Sequence, residues 1–216
     1  MKTRRILLVL LLLLSTWIAI DLLLPTKTDI REFDPKIVAH LDTEMWRSYY
    51  DRKPLKLFFQ LGTLLRKQFH TRFWRSQVLA YQAAKAAFVF KDGKERNDYK
   101  KALPYLQKYY THINNLSKTS FDVQKAAKLE LEWWIVHRQR AQHQGGDLEK
   151  ALAESAAVIY NISPDQMIEY AKFRAAAMDI RDSEQEKDGV SEMEWQQIGD
   201  LLNQSWQSLH NTVNLK

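Results

Sequence analysis

The sequence predicts an all-α protein. An N-terminal transmembrane helix is followed by antiparallel helical hairpins, stacked as an α-solenoid or gathered into an irregular helical bundle. Three observations carry this. Residues 6–24 are almost wholly apolar. Helix start and stop signals recur along the rest of the chain at intervals of about one helix. No stretch keeps the period-two alternation of a half-buried strand. With only six glycines and five prolines in 216 residues, an all-β sandwich or a disordered chain is disfavoured.

The apolar segment comes first. Lys2, Arg4 and Arg5 precede it, and Asp21 interrupts it three leucines before Pro25. Its 19 residues span about 28 Å at a helical rise of ~1.5 Å per residue, against a hydrocarbon core of roughly 30 Å. A cleaved signal peptide shares the basic start but ends in small residues at a cleavage site. No A-x-A-like pair is present, and the leucines extend the apolar run past Asp21. Residues 1–24 therefore read as an uncleaved signal anchor; cleavage would make the protein secreted. Asp21 lies near one end, where a carboxylate reaches headgroup water. The positive-inside rule puts the N-terminus in the cytoplasm and residues 25–216 outside it, periplasmic or on the cell surface.

Residues 25–34 form a polar linker, and residues 35–216 a single all-helical domain. Asp34-Pro35 is an N-cap with proline at the first helical position. It opens a helix over 35–51. Pro54 opens the next, over 54–70. Further helices are expected over 73–91, 97–115, 122–143, 147–161, 164–187 and 192–213. The stops are Lys91 to Lys94, Gln144 to Asp147, Ser163 to Asp165 and Asp188 to Ser191. Ser191 with Glu194 three residues on is a capping box. The 54–70 segment is apolar nearly all round, which predicts burial between neighbours. In 122–143, Trp133 and Trp134 point about 100° apart, so that helix should pack on two sides.

Taken in pairs, the segments form hairpins. Ala84-Lys85, Ala127-Lys128 and Ala171-Lys172 recur 43 and 44 residues apart. Small residues at close helix contacts are how α-solenoids are built. Trp74 and Tyr81 have the spacing of first-helix aromatics in tetratricopeptide repeats, and the arrangement is similar in outline to that family. The resemblance implies an array of helical hairpins that binds a protein partner.

Chemistry is sparse. The chain has no cysteine, which excludes disulfides, thiolate zinc sites, a thiol nucleophile and a lipidated N-terminal cysteine. It lacks the nucleophile elbow, phosphate-binding loops, H-E-x-x-H and the EF-hand loop. No Glu has a His three residues later, as a di-iron bundle needs. The six histidines show no metal-ligand spacing, so neither metal nor cofactor is expected. Glu130 and His137 share a helix face and are the one pair around which an envelope enzyme could be built. Glu44 and Arg47 read as an i,i+3 surface ion pair. Sequons at Asn115, Asn161 and Asn203 matter only in a eukaryotic secretory pathway.

Charge is more informative. The net +6 divides into +2 for residues 1–24, +11 for 25–146 and −7 for 147–216. The densest basic run interleaves Arg66, Lys67, His70, Arg72 and Arg75 with aromatics. That pattern can bind nucleic acid, but outside the cytoplasm an anionic lipid surface near the anchor is the better target. The acidic third could meet a basic partner or another copy's basic half. The functional expectation is a membrane-anchored extracytoplasmic scaffold or adaptor that binds a protein partner, not an enzyme. The alternatives are the envelope enzyme near Glu130 and His137, or an anionic-lipid binder through residues 66–75.

Overall fold

The fold is described from a computed structural model, which covers residues 2–185 and 189–215, with the side chains of 184 and 185 left aside. It is all-helical. α1 (Lys2–Leu23) is the apolar segment, long and apolar enough to cross a membrane. α2 (Pro35–Tyr50) and α3 (Pro54–Phe69) follow, then α4 (Phe73–Asp92). Next come α5 (Arg96–Tyr99), α6 (Leu103–Leu116), α7 (Val123–Arg138) and α8 (Asp147–Tyr160). The last are α9 (Ile168–Gln185) and α10 (Glu192–Val213). The only bridge between extended segments among the described residues pairs Thr28 with Ser117.

Local chemistry sets most boundaries. Asp34 accepts from the Lys36 and Ile37 N–H groups, and Asp122 from that of Lys125. Ser191 and Glu194 complete both halves of their capping box. Such caps contribute about 1 kcal/mol each. Three expected helices are subdivided. The 122–143 segment ends as α7 at Arg138 and is followed by a 3₁₀ turn, Arg140–Gln142. The 97–115 segment is α5, a 3₁₀ turn and then α6, because Pro104 lacks an N–H and suits only a first turn. The 164–187 segment starts as the 3₁₀ turn Pro164–Met167, and its expected end at 187 lies outside the described residues.

Apart from the single-turn α5, which α6 bypasses to pack on α4, each body helix packs on its neighbours in the chain, and α10 packs on both α9 and α2. The array therefore closes on itself. An α-solenoid keeps its ends apart, so the closed bundle is the architecture found. The main core is built around Leu65, Leu79, Leu106, Ile135 and Met167, and a second, smaller cluster gathers Ala177, Trp195, Ile198 and Leu202. Alanine permits close approach, and Ala127 and Ala171 of the recurring pairs are fully buried while Lys128 and Lys172 face out. Ala84 is half-buried, and Ala80 and Ala86 are the buried alanines of α4.

The tetratricopeptide spacing does not carry through. Trp74 packs against α1, and Tyr81 points outward. α3 also departs from expectation. Its C-terminal half is buried through Leu64, Leu65 and Phe69, but Leu55 is 77% and Phe59 60% exposed, because α2 and α4 cover only two sides. α7 does pack on two sides, against α6 and α8.

The closing seam is polar at its centre. Asp42 of α2, 1% exposed, accepts from Arg174 of α9 at 2.7 Å and from the Trp206 indole of α10 at 2.9 Å. The Arg174 guanidinium lies between the rings of Trp46 and Trp206, at 5.5 and 5.9 Å. A buried guanidinium that has both a carboxylate and two π faces loses little by leaving water. Nearby, Arg47 of α2 pairs with Glu192 of α10, and Glu44 pairs with Lys56 of α3 at 3.8 Å. The expected Glu44–Arg47 pair is thus replaced by bonds between helices. Part of the basic-to-acidic split of the sequence is neutralised here, within one chain.

Candidate functional site

α1 is exposed over Ile6–Leu13, and its first ring contact with the body is at Trp17. The Trp17 ring stacks on Phe73 at 5.9 Å and meets Trp74 edge-on at 5.5 Å. One turn on, Asp21 is 3% exposed, and its Oδ2 accepts the Trp74 N–H at 3.0 Å. That N–H belongs to the first turn of α4, which has no capping side chain of its own. A helix N-terminus leaves such donors unpaired and favours a negative charge. α1 thus supplies the cap that α4 lacks.

The reciprocal contact runs the other way. At the end of α1 the Ile20 carbonyl still accepts the Leu24 N–H at 3.1 Å, and the carbonyls beyond it are left for other donors. Arg72 donates to the Ile20 carbonyl at 3.3 Å, and Arg75 to that of Leu22 at 3.2 Å. Arg75 also bonds the Leu24 carbonyl and the Thr26 hydroxyl. Each helix end therefore satisfies the other. Asp21 is not the headgroup-facing carboxylate expected from its position, because α4 covers it.

The connection that follows is held down too. Ile30 and Phe33 are buried, the Thr28 N–H donates to the Leu116 carbonyl at 2.8 Å, and Lys27 and Arg31 donate to the Ser117 and Tyr160 carbonyls. Residues 25–34 are a strap across the body.

The predicted basic run is divided by this geometry. Arg72 and Arg75 are engaged with α1. Arg66, Lys67 and His70, at the C-terminal end of α3, line a shallow pocket of about 420 Å³ with Asp34, Ile37 and Thr71. His70 holds a left-handed backbone, φ 52°, and its Nε2 bonds the Glu32 carbonyl. Arg66 lies 5.7 Å from the centre of the Phe73 ring, the same ring that carries Trp17. Thr71 is 7% exposed, and its buried hydroxyl has no partner among the described residues. The sequence pointed to the cations; Asp21, Asp34 and Thr71 went unrecognised as part of the site. A lone carboxylate in an apolar helix was the signal available for Asp21.

Glu130 and His137 are not brought together. Glu130 accepts from the Tyr110 hydroxyl at 2.9 Å, the Trp134 indole at 3.0 Å and the Ser155 hydroxyl at 3.1 Å. Burial and the Glu130 charge push the Tyr110 hydroxyl well above the ordinary tyrosine range. His137 instead bonds Asp182 of α9 at 3.0 Å, and Arg140 and Arg181 also reach that carboxylate. Burial pushes the Asp182 carboxyl up, but the bonds from His137 and Arg181 outweigh it and leave it below the usual carboxylate range. Burial also raises the Tyr50 hydroxyl to about 12, although the Arg181 guanidinium over its ring opposes this. Among the described residues, no three His, Asp or Glu side chains are placed to hold a metal ion.

Fold and junction together define the class: a closed all-helical bundle carrying one N-terminal apolar helix, built into the body at its exit. No protein-family model matches the chain, and neither a curated protein nor a solved structure matches it.

Proposed function

We propose that the protein is a single-pass, membrane-anchored scaffold whose helical body stands on the extracytoplasmic side and binds a protein partner there. The supporting observation is the α1–α4 junction. Asp21 caps α4 from within α1, and Arg72 and Arg75 cap α1 from within α4. A segment discarded by a peptidase has no need of such contacts, so the junction favours a retained anchor that holds the body at a set attitude. Lys2, Arg4 and Arg5 favour a cytoplasmic N-terminus.

The partner would meet the exposed apolar side chains of the α3–α4 hairpin, Leu55, Phe59 and Phe88. Phe88 lies about 22 Å along α4 from the junction at ~1.5 Å per residue, clear of the membrane helix. Leu55 and Phe59 stand about one turn apart on α3, and contiguous exposed apolar groups are the usual mark of an interaction surface. A photo-crosslinking residue at position 59 or 88, activated in intact cells, should give one adduct of defined mass, absent with the label at Lys172. Equal labelling at all three positions overturns the scaffold reading. A periplasmic reporter fused after residue 216 should be active; silence overturns the topology.

A further inference from the structure

We propose that the pocket lined by Asp34, Arg66, Lys67, His70 and Thr71 binds a phospholipid headgroup bearing a primary amine, its phosphate on the cations and its ammonium at Asp34. The inference rests on the reading of α1 as a membrane span, and adds a ligand to it.

The first support is depth. The apolar run reaches from residue 6 to 24, yet Trp17, Asp21 and Leu22 within it are already bonded or stacked on the body. Residues 6–16 alone cover only about 16 Å at ~1.5 Å per residue, about half a hydrocarbon core of roughly 30 Å. For α1 to span, its last two turns must also lie in the bilayer or its interface, and they bring Phe73 and Trp74 with them. Trp at that level is the interfacial belt of a membrane protein. The body is then seated on the membrane with no stalk between them. Arg66, stacked on Phe73, stands at headgroup level.

The second support is the pocket itself. Arg66 and Lys67 are exposed and have no carboxylate within ion-pair distance among the described residues. Thr71 lines the same pocket with a nearly buried, unpartnered hydroxyl. A buried hydroxyl without a partner costs about 1–3 kcal/mol, and a turn of the Thr71 side chain toward the pocket would let a phosphate oxygen satisfy it. The volume of about 420 Å³ admits a headgroup. Asp34 decides which kind. Its Oδ1 already takes two N–H groups of α2, and its negative charge opposes a purely anionic head. A zwitterionic head turns the same charge into an attraction. The trimethylated amine of choline has no N–H to donate, so ethanolamine is preferred.

The test uses the full-length chain in nanodiscs of phosphatidylcholine doped with photoreactive phosphatidylethanolamine, phosphatidylglycerol or phosphatidylcholine. The ethanolamine lipid should label residues 66–71 about tenfold more than the choline lipid, and more than the glycerol lipid. Asp34→Asn keeps the helix cap and should abolish the preference over glycerol. Paired Arg66→Ala and Lys67→Ala changes should remove labelling by all three, and Thr71→Val should weaken it. Equal labelling by the three lipids, or labelling indifferent to these changes, overturns the site. Alkaline extraction separates the two readings. If α1 comes out of the membrane with the soluble fraction, the span itself is wrong; if it stays while labelling is absent, the headgroup site alone is wrong.

Discussion

Asp21 and Asp42 are both nearly buried carboxylates, and they serve two different joints of the molecule. Asp42 sits at the seam where α10 meets α2, with a guanidinium and an indole on one oxygen. Asp21 sits where α1 meets the body, with one backbone N–H on Oδ2 and, among the described residues, no partner on Oδ1. The seam joins residues more than a hundred positions apart, so its charge must be neutralised for the fold to close. The junction joins a helix that stands mostly free to one that is already folded. There a helix dipole and two arginines at the rim suffice. A buried carboxylate neutralised by a guanidinium marks what holds the body together, and one that takes a single backbone N–H marks a joint between two parts.

The largest effect should come from breaking the seam. Asp42→Ala strands the Arg174 guanidinium among aromatic rings and should cost about 3–5 kcal/mol in chemical denaturation. Adding Arg174→Met should recover much of that loss, since the unpaired charge goes with it. If the double change is as harmful as the sum, the two residues do not act as a pair.

Acid should find the next weak point, in the Asp182 cluster. Its folded carboxyl titrates below the unfolded value of about 3.9. The linked stability is therefore complete above that value and is lost as pH falls through the lower folded one. Denaturant midpoints of the parent should fall below pH ~4, and those of Asp182→Asn should fall less. Parallel curves would remove this cluster from the account.

At the junction the cost is smaller and of another kind. Asp21→Ala removes one cap, worth about 1 kcal/mol, and should leave the melting of the body almost unchanged while freeing α1. Asp21→Asn keeps an acceptor and should behave like the parent. A body that unfolds with Asp21→Ala would make the two carboxylates equivalent and end the distinction. Smallest of all, Arg96→Ala cuts an exposed bond to Glu132 and should shift stability by less than ~1 kcal/mol.

Much of the fold was legible because it is written locally. Pro35 and Pro54 announce helix starts, Asp34, Asp122 and Ser191 cap, and apolar runs at helical spacing mark the inward faces. The closure of the bundle was not legible. It depends on Asp42, Arg174 and Trp206, which are scattered along three helices and carry no spacing signal. The open hairpin array suggested by the alanine–lysine pairs used the same local features without that long-range contact. The site was half legible. A dense basic run is visible in any charge plot, but its division into Arg72 and Arg75 on the anchor and Arg66 and Lys67 at the pocket is set by where α1 docks. The sequence also hid the role of residues 25–34, whose polar look conceals two buried side chains, Ile30 and Phe33.

The central claim is that α1 is fixed to the body at Asp21. The chain has no cysteine, so spin labels go only where they are placed. One label at Thr16 on α1 and one at Lys85 on α4, in the full-length protein in nanodiscs, report the distance between anchor and body. A single narrow distribution that broadens with Asp21→Ala and not with Asp21→Asn is the predicted result. A distribution already broad in the parent protein, unchanged by either substitution, would contradict it.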